Sequence, residues 1–118
     1  MGNRLVDDSF RFGTPDLASL PTAERKMQAV ELLRGGKIDK FNRAVAKARK
    51  TNPGFVLDLS GADLAGTHLR GVDLKGSRLN DVDFTGADLP KADLLEADLR
   101  GAKLKGTNLI GASLCRPT

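Results

Sequence analysis

The chain has 118 residues and a net charge of +4, and 40% of its residues are hydrophobic but only 4% aromatic, with no Trp or Tyr. This predicts one small domain with an aliphatic core. No apolar run reaches the roughly 18 residues of a membrane-spanning helix and no signal peptide is recognisable, so we expect a cytoplasmic protein. A single cysteine, Cys115, excludes an internal disulfide, and with His68 as the one histidine no metal site is expected.

Residues 1–21 are predicted to form a mostly irregular N-terminal segment. Their apolar residues follow no helical period longer than one turn, and Gly13, Thr14 and Pro15 interrupt the chain. Phe10 and Phe12 are two residues apart, so in an extended segment both rings lie on one side. These rings either pack back onto the domain or meet a partner.

Residues 22–56 are predicted to form a two-helix unit and a junction. The first helix covers Thr22–Arg34, where apolar residues recur every three or four positions and Gly35 follows as a stop signal. The second runs from Lys37 to about Lys50. Its apolar stripe consists of Ile38, Phe41, Val45 and Ala48.

The second helix also carries a cationic stripe, here called the basic face, which consists of Lys40, Arg43, Lys47 and Lys50. Residues 1–56 hold eleven Lys or Arg against six Asp or Glu, whereas the remaining residues hold eight against nine. The basic face either keeps the wet side of the helix soluble or binds phosphates or an anionic membrane surface. The first role is the expected one, so nucleic acid is not the expected partner. The basic face has no aromatic residue to stack on bases. Any such contact would be to the backbone, salt-sensitive and without sequence preference.

Residues 57–116 consist of twelve five-residue units without insertion. They read LDLSG, ADLAG, THLRG, VDLKG, SRLND, VDFTG, ADLPK, ADLLE, ADLRG, AKLKG, TNLIG and ASLCR. The third residue of every unit is leucine, except for Phe84. A step of five fits neither an α-helix nor a flat strand, and a period this strict predicts a solenoid.

This stretch resembles the pentapeptide repeat family, whose units run A-D/N-L-x-x. The resemblance implies a mainly β solenoid: a right-handed quadrilateral β-helix in which four units complete one coil, so that twelve units give three coils. Several family members carry an α-helical cap at the front end. We therefore expect the predicted helices to cap the first coil, with the apolar stripe of the second helix and Phe55 covering its leucines, Leu59, Leu64, Leu69 and Leu74.

The register predicts which residues point inward. The third residue of each unit forms ladders of large apolar side chains, and the residue two positions earlier is smaller because four sides converge on a narrow axis. Glycine closes eight of the twelve units, which suits a tight corner. The exceptions are Asp81, Lys91, Glu96 and Arg116, which suggests that the middle coil bends its corners differently.

No catalytic, cofactor-binding or metal-binding residue is predicted, because no nucleophile is paired with a base and the carboxylates and His68 fall on outward positions. The expected function is a non-enzymatic protein-interaction or scaffold module, bacterial by resemblance, with an unidentified protein partner. One alternative is a DNA-mimicking, gyrase-binding or gyrase-protecting protein, an activity of long, acidic, dimeric family members. Three coils would span only about 14 Å, and the repeat half is not strongly acidic. A further alternative is nucleic-acid or anionic-surface binding through the basic face.

The C-terminal coil carries a candidate interface, which consists of Pro90, Leu95, Ile110, Leu114 and Cys115. Most of these are apolar where outward positions elsewhere are polar, and the few residues after Cys115 are too short to form a second cap. Unpaired strand edges beside an apolar patch are normally covered. We expect a homodimer in which two chains meet end to end through this coil. The alternative is a monomer in which Phe10 and Phe12 fold over the patch.

Overall fold

The computed structural model describes residues 16–114 of the chain. The regular elements are a 3-10 turn at Leu17–Ser19, helix α1 (Thr22–Arg34), helix α2 (Ile38–Thr51) and two short strands, β1 (Asp93–Leu94) and β2 (Ser113–Leu114). The first helix has the predicted bounds, and the second is displaced by one residue. The predictions that concern Phe10, Phe12, Cys115 and Arg116 lie outside the described residues.

The 3-10 turn lies within the segment 1–21 that is predicted to be mostly irregular, of which the structure describes residues 16–21. The Asp16 carboxylate accepts a hydrogen bond from the N–H of Ala18 at 3.1 Å, and this caps the turn. Leu17 is fully buried. Arg25 on α1 donates to the carbonyl oxygens of Leu17 and Ala18, at 2.8 and 3.2 Å. A single turn needs no helical period, so hydrophobic periodicity could not reveal it.

Both helices contribute side chains to one core that they share with the repeats. Helix α1 buries Ala29 and Leu33, whereas Met27, which belongs to the same predicted stripe, is 63% exposed. Helix α2 buries a full apolar face, which consists of Phe41, Ala44, Val45 and Ala48. The apolar stripe of α2 is therefore confirmed, and that of α1 is only partly buried.

Residues 57–114 stack as layers twenty residues apart, and we call residues 57–76 the first layer, 77–96 the second and 97–114 the third. The N–H of Leu59 donates to Arg78 O at 2.9 Å, and the N–H of Arg78 donates to Leu57 O at 2.8 Å. This pair of bonds recurs every five residues around the first and second layers. Parallel bridges join Asp58 to Arg78 and Arg78 to Asp98. The same pairing, Asp93 with Ser113, forms the two-stranded sheet of β1 and β2.

The large side chains of the repeats occupy the predicted inward positions. In the first two layers they are at most 2% exposed, and they are Leu59, Leu64, Leu69, Leu74, Leu79, Phe84, Leu89 and Leu94. In the third layer the equivalent Leu104 and Leu114 are 40% and 44% exposed. His68 is exposed, as the register predicts. The interior is therefore closed near the helices and open at the far side.

The corners of the second layer do not bend differently, which corrects that prediction. Asp81, Lys91 and Glu96 have φ values of 61°, 61° and 62°, in the same left-handed region as Gly86 at 68°. The five-residue hydrogen-bond pattern requires this backbone conformation whichever residue stands there. Residues with a Cβ adopt it at a cost of about 1 to 2 kcal/mol each.

Candidate interaction surface

The edge of the first layer that faces the helices, here called the front edge, lacks a preceding layer. Within the repeats, carbonyl groups such as those of Arg78 and Asn80 accept N–H groups of the layer before. On the front edge the equivalent carbonyls need other donors. The side chains of both helices supply them through three contacts: Lys26 Nζ to Ser60 O, Arg34 Nη1 to Asp63 O at 2.8 Å, and Arg49 Nη2 to Lys75 O at 3.1 Å.

Asn42 on α2 completes the front edge with both ends of its amide. Its Nδ2 donates to Gly71 O at 3.1 Å, and its Oδ1 accepts the N–H of Asp73 at 2.9 Å. In the second layer the equivalent N–H, that of Asp93, donates to Val72 O of the first layer, so Asn42 Oδ1 takes the place of a carbonyl from a preceding layer. The sequence held a signal for this role, because asparagine is a poor former of helix interiors.

The Arg49–Asp73 pair joins α2 to the unit VDLKG of the first layer. Arg49 binds Asp73 through two bonds, Nη1 to Oδ2 at 2.6 Å and Nη2 to Oδ1 at 3.1 Å, and both side chains are less than one-third exposed. Burial alone would raise the pKa of Asp73, but the hydrogen bonds from Arg49 and from the N–H of Lys75 outweigh it and lower the pKa. The front edge is thus held by polar contacts from both helices.

The opposite edge, here called the open edge, is formed by the third layer. Among residues 16–114, the N–H groups of Leu104 and Leu109 have no hydrogen-bond acceptor, although the equivalent groups of Phe84 and Leu89 donate to the third layer. The side chains of Leu104 and Leu114 are exposed beside them. Unpaired strand groups next to exposed leucines form a surface that favours association.

Most of the candidate interface lies on or beside the open edge. Ile110 is 75% exposed and Leu95 is 42% exposed, while Pro90, stacked one layer from Ile110, is half-buried. The predicted candidate interface included Leu114 but not Leu104, the third residue of the unit AKLKG. The register contained a signal for it, because it places Leu104 and Leu114 at equivalent positions of the same layer.

The basic face of α2 is fully formed. Lys40, Arg43, Lys47 and Lys50 are all exposed. None of them takes part in an ion pair or side-chain hydrogen bond within the part of the chain that the structure describes. The other cations of the helices are used, because Arg25, Lys26, Arg34 and Arg49 each bind carbonyl or carboxylate oxygens.

A shallow groove of about 500 Å³ runs between α1 and the first corner of the repeats. Its lining is mainly apolar and includes Ala23, Met27, Val30 and Ala62. Met27 is exposed, and the apolar stripe of α1 is only partly buried, because Met27 and Val30 line this groove. No acidic or imidazole side chain converges on it except Glu31.

The described residues contain no group of three or more His, Cys, Asp or Glu side chains that could hold a metal ion. Within the same range, no helix is both long enough and apolar enough to cross a membrane. The pKa of Asp58 is lowered by hydrogen bonds from Ser60, and that of Asp98 by hydrogen bonds from Arg100 and Asn80. Hydrogen-bonded carboxylates of this kind are ionised, so they act as acceptors and not as general acids.

Comparison with known proteins agrees with this geometry. The family model for pentapeptide repeats matches residues 58–94 and 77–116, with eight copies of the repeat. The chain belongs to the pentapeptide repeat family, whose fold is a right-handed β-helix. No curated protein matches the chain.

Among solved structures, the chain is similar to the crystal structure of a pentapeptide repeat protein (Rfr23) from the cyanobacterium Cyanothece 51142. The two are 35% identical over 50% of this chain and 42% of that chain, with a TM-score of 0.48. The matched region thus spans less than half the length of that protein.

Proposed function

We propose that this protein is a non-enzymatic interaction module built on a three-coil quadrilateral β-helix. Residues 57–116 form the coils, residues 22–56 form a two-helix cap and junction at the front edge, and residues 1–21 precede the cap. The observation that carries this proposal is the unequal treatment of the two edges. Side chains of α1 and α2 donate to carbonyls of the front edge, whereas at the open edge N–H groups find no acceptor within residues 16–114 and leucines are exposed.

The partner that the open edge fits first is the same edge of a second copy. Both sides of such a contact then offer N–H and C=O groups at the strand spacing, beside matching apolar side chains. A two-fold axis uses one surface twice and closes the assembly, so it leaves no open edge for further chain addition. The proposed unit is accordingly an end-to-end homodimer, whose outward sides remain available to an unidentified protein.

Light scattering of the purified chain tests the homodimer. We expect the wild type to have the mass of two chains and the variant Ile110→Lys/Leu114→Lys to have the mass of one, with an unchanged circular dichroism spectrum. A matched control is Met27→Lys/Val56→Lys, which adds two lysines at exposed apolar positions away from the open edge. The control is expected to stay dimeric, and a monomeric wild type would contradict the proposal.

A monomer would point to the second occupant considered for this surface, the N-terminal segment with Phe10 and Phe12. In that case Phe10→Ser/Phe12→Ser would destabilise the monomer, whereas it leaves the mass and melting temperature of an end-to-end dimer nearly unchanged. The two arrangements are therefore distinguished by one further variant.

Mimicry of duplex DNA is not favoured by the outward side chains. Arg78 stacks between Asp58 and Asp98, and Lys103 stacks beneath Asp83, so cations interrupt the carboxylate columns. Mimicry needs a sustained negative surface, because B-DNA carries one charge per about 1.7 Å of its axis. We expect the protein neither to inhibit gyrase in a supercoiling assay nor to protect it from a quinolone. The cytoplasm remains the predicted location.

A further inference from the structure

We propose that the basic face of α2 binds the phosphate backbone of duplex nucleic acid, independently of the open edge. The cations of the two helices fall into two sets, according to whether oxygen atoms of the described residues hold them. Arg25, Lys26, Arg34 and Arg49 are held by oxygen atoms of the 3-10 turn or the front edge. The four residues of the basic face contact no such oxygen in the described structure.

The position of the basic face on α2 makes it accessible as a unit. At 100° per residue its four residues fall within an arc of about 80°, centred about 130° from Asn42 and Arg49, which contact the front edge. The face therefore points away from the repeats. One acidic residue of the same helix, Asp39, is exposed beside it, and Glu31 on α1 lies at the groove.

The shape of the face fits a linear polyanion. Its residues span ten positions of the helix, about 15 Å at 1.5 Å per residue. Duplex DNA presents one phosphate per about 3.4 Å of axis on each strand, so four cations in a row can each meet a phosphate of one strand.

An anionic membrane is the less suitable partner. Membrane-binding helices insert an apolar face beside their basic one. In α2 that apolar face is occupied, because Phe41, Ala44, Val45 and Ala48 are at most 1% exposed. Only the charges would be left to hold a membrane surface, whereas nucleic-acid binding through phosphates requires nothing else.

The chemistry of the face also predicts the kind of binding. It has no aromatic side chain for base stacking and no residue placed to read base edges, so it cannot select a sequence. From sequence, the basic face was expected to keep the wet side of the helix soluble, and nucleic acid was not the expected partner. Contact with duplex phosphates needs no stacking, and it is the mode of binding that the sequence left open.

Fluorescence anisotropy with a labelled duplex of arbitrary sequence tests the proposal. Release of counterions at four phosphates predicts a slope of about −3.6 for the logarithm of the binding constant against that of salt concentration. Raising KCl from about 50 to about 200 mM should therefore weaken binding about 150-fold. Two duplexes of unrelated sequence should bind equally.

The decisive comparison uses two variants with the same change in charge. The test variant replaces the basic face with Lys40→Gln, Arg43→Gln, Lys47→Gln and Lys50→Gln. The control replaces four exposed cations of the repeats with Lys75→Gln, Lys91→Gln, Lys103→Gln and Lys105→Gln. We expect the test variant to lose measurable binding and the control to keep most of it and most of the slope. Equal loss in both variants, or no binding by the wild type at about 50 mM KCl, overturns the proposal.

Two further measurements keep the test decisive. If the fourfold test variant fails to fold, each of Lys40→Gln/Arg43→Gln and Lys47→Gln/Lys50→Gln should reduce the slope to about −1.8. Vesicles rich in phosphatidylserine provide the other arm, and the wild type should bind them far more weakly than the duplex. Equal or tighter binding to vesicles would overturn nucleic acid as the partner. The Ile110→Lys/Leu114→Lys variant should still bind duplex, so failure of the homodimer is distinguishable from failure of this proposal.

Discussion

The front edge and the open edge of the repeat stack differ in the contacts that their strand groups and leucines make. Both present strand groups that need partners and leucines that need cover. At the front edge, Lys26, Arg34, Asn42 and Arg49 supply hydrogen bonds, and the buried face of α2 belongs to the same core as the leucines. At the open edge no such contacts exist among residues 16–114. This difference between the two edges is the basis for the proposal that the open edge is an interaction surface.

The largest expected effect comes from truncating one ladder in different layers. Leu89 is fully buried, and Leu89→Ala should lower the free energy of unfolding by about 2 to 5 kcal/mol through the cavity that it leaves. Leu109, stacked one layer further, is half-buried, and Leu109→Ala should cost about 1 kcal/mol. Urea melts in the Ile110→Lys/Leu114→Lys background, in which the open edge stays uncovered, measure both changes.

Asp88→Ala, next to Leu89, is the control for the register, and it should cost well under about 1 kcal/mol because its side chain points outward. Equal losses for Leu89→Ala and Asp88→Ala would show that the inward register is wrong. Equal losses for Leu89→Ala and Leu109→Ala would show that the third layer is covered.

The next effect concerns polar closure of the front edge. Asn42→Ala removes partners from Gly71 O and from the N–H of Asp73 and should destabilise the chain by about 1 to 3 kcal/mol. The matched variant is Asn108→Ala in the third layer, where Asn108 donates to Asp88 and accepts the N–H of Ile110, so that both of its partners lie in the repeats. It should cost about 0.5 kcal/mol. If the two variants have equal melting temperatures, the amide of Asn42 does not close the edge.

The positions of inward and outward residues in the repeats were predictable from the sequence, because a strict five-residue period leaves one arrangement of leucines. The bounds of α1 and α2 followed from glycines and from apolar spacing. The polar contacts of the front edge did not, since Lys26 and Asn42 meet residues more than thirty positions away. Those pairings depend on how the helices dock, which local patterns do not encode.

The errors of sequence reasoning have equally local causes. Leu17 was missed because one buried turn produces no periodicity. The corners at Lys91 and Glu96 were expected to differ because their residues differ, yet backbone hydrogen bonding determines their conformation. The four residues predicted for the basic face are all exposed, whereas the predicted candidate interface did not include Leu104, which is exposed at the open edge.

A smaller effect is expected from the pH dependence of stability, which should differ between the ion pair at the front edge and the ion pair in the third layer. The folded-state pKa of Asp73 is lowered, so its pairing with Arg49 adds stability above the unfolded pKa of about 3.9, and this is lost as pH falls through the folded pKa. Asp98 in the third layer also has a lowered pKa, but its partner Arg100 is 85% exposed and the pair is screened by water and salt.

Urea melts at about pH 6 and about pH 3 measure this difference. Arg49→Gln should reduce the acid-induced loss of stability more than Arg100→Gln does. If Arg100→Gln has the larger effect, the ion pair at the front edge is not the stronger of the two.

The smallest change in stability is expected at the corners, which occur in every layer of the repeats. Glu96→Gly relieves a left-handed backbone conformation and should stabilise the chain by about 0.5 kcal/mol. Gly66→Ala places a residue with a Cβ in the same left-handed conformation, where the added Cβ meets no other atom. It should destabilise the chain by about 1 kcal/mol. Thermal melts that show no change for either variant would mean that the corners relax freely.

Amide hydrogen–deuterium exchange is the most direct test of the contrast between the edges, because unpaired strand groups exchange fast and paired ones slowly. Peptides that cover residues 57–76 and 97–114 are compared by mass spectrometry at about 1 and about 100 µM protein. We expect the first layer to be protected at both concentrations, and the third layer to be protected only at the higher one, where two copies meet. Protection of the third layer at both concentrations, or rapid exchange in the first, would contradict a closed front edge and an open third layer.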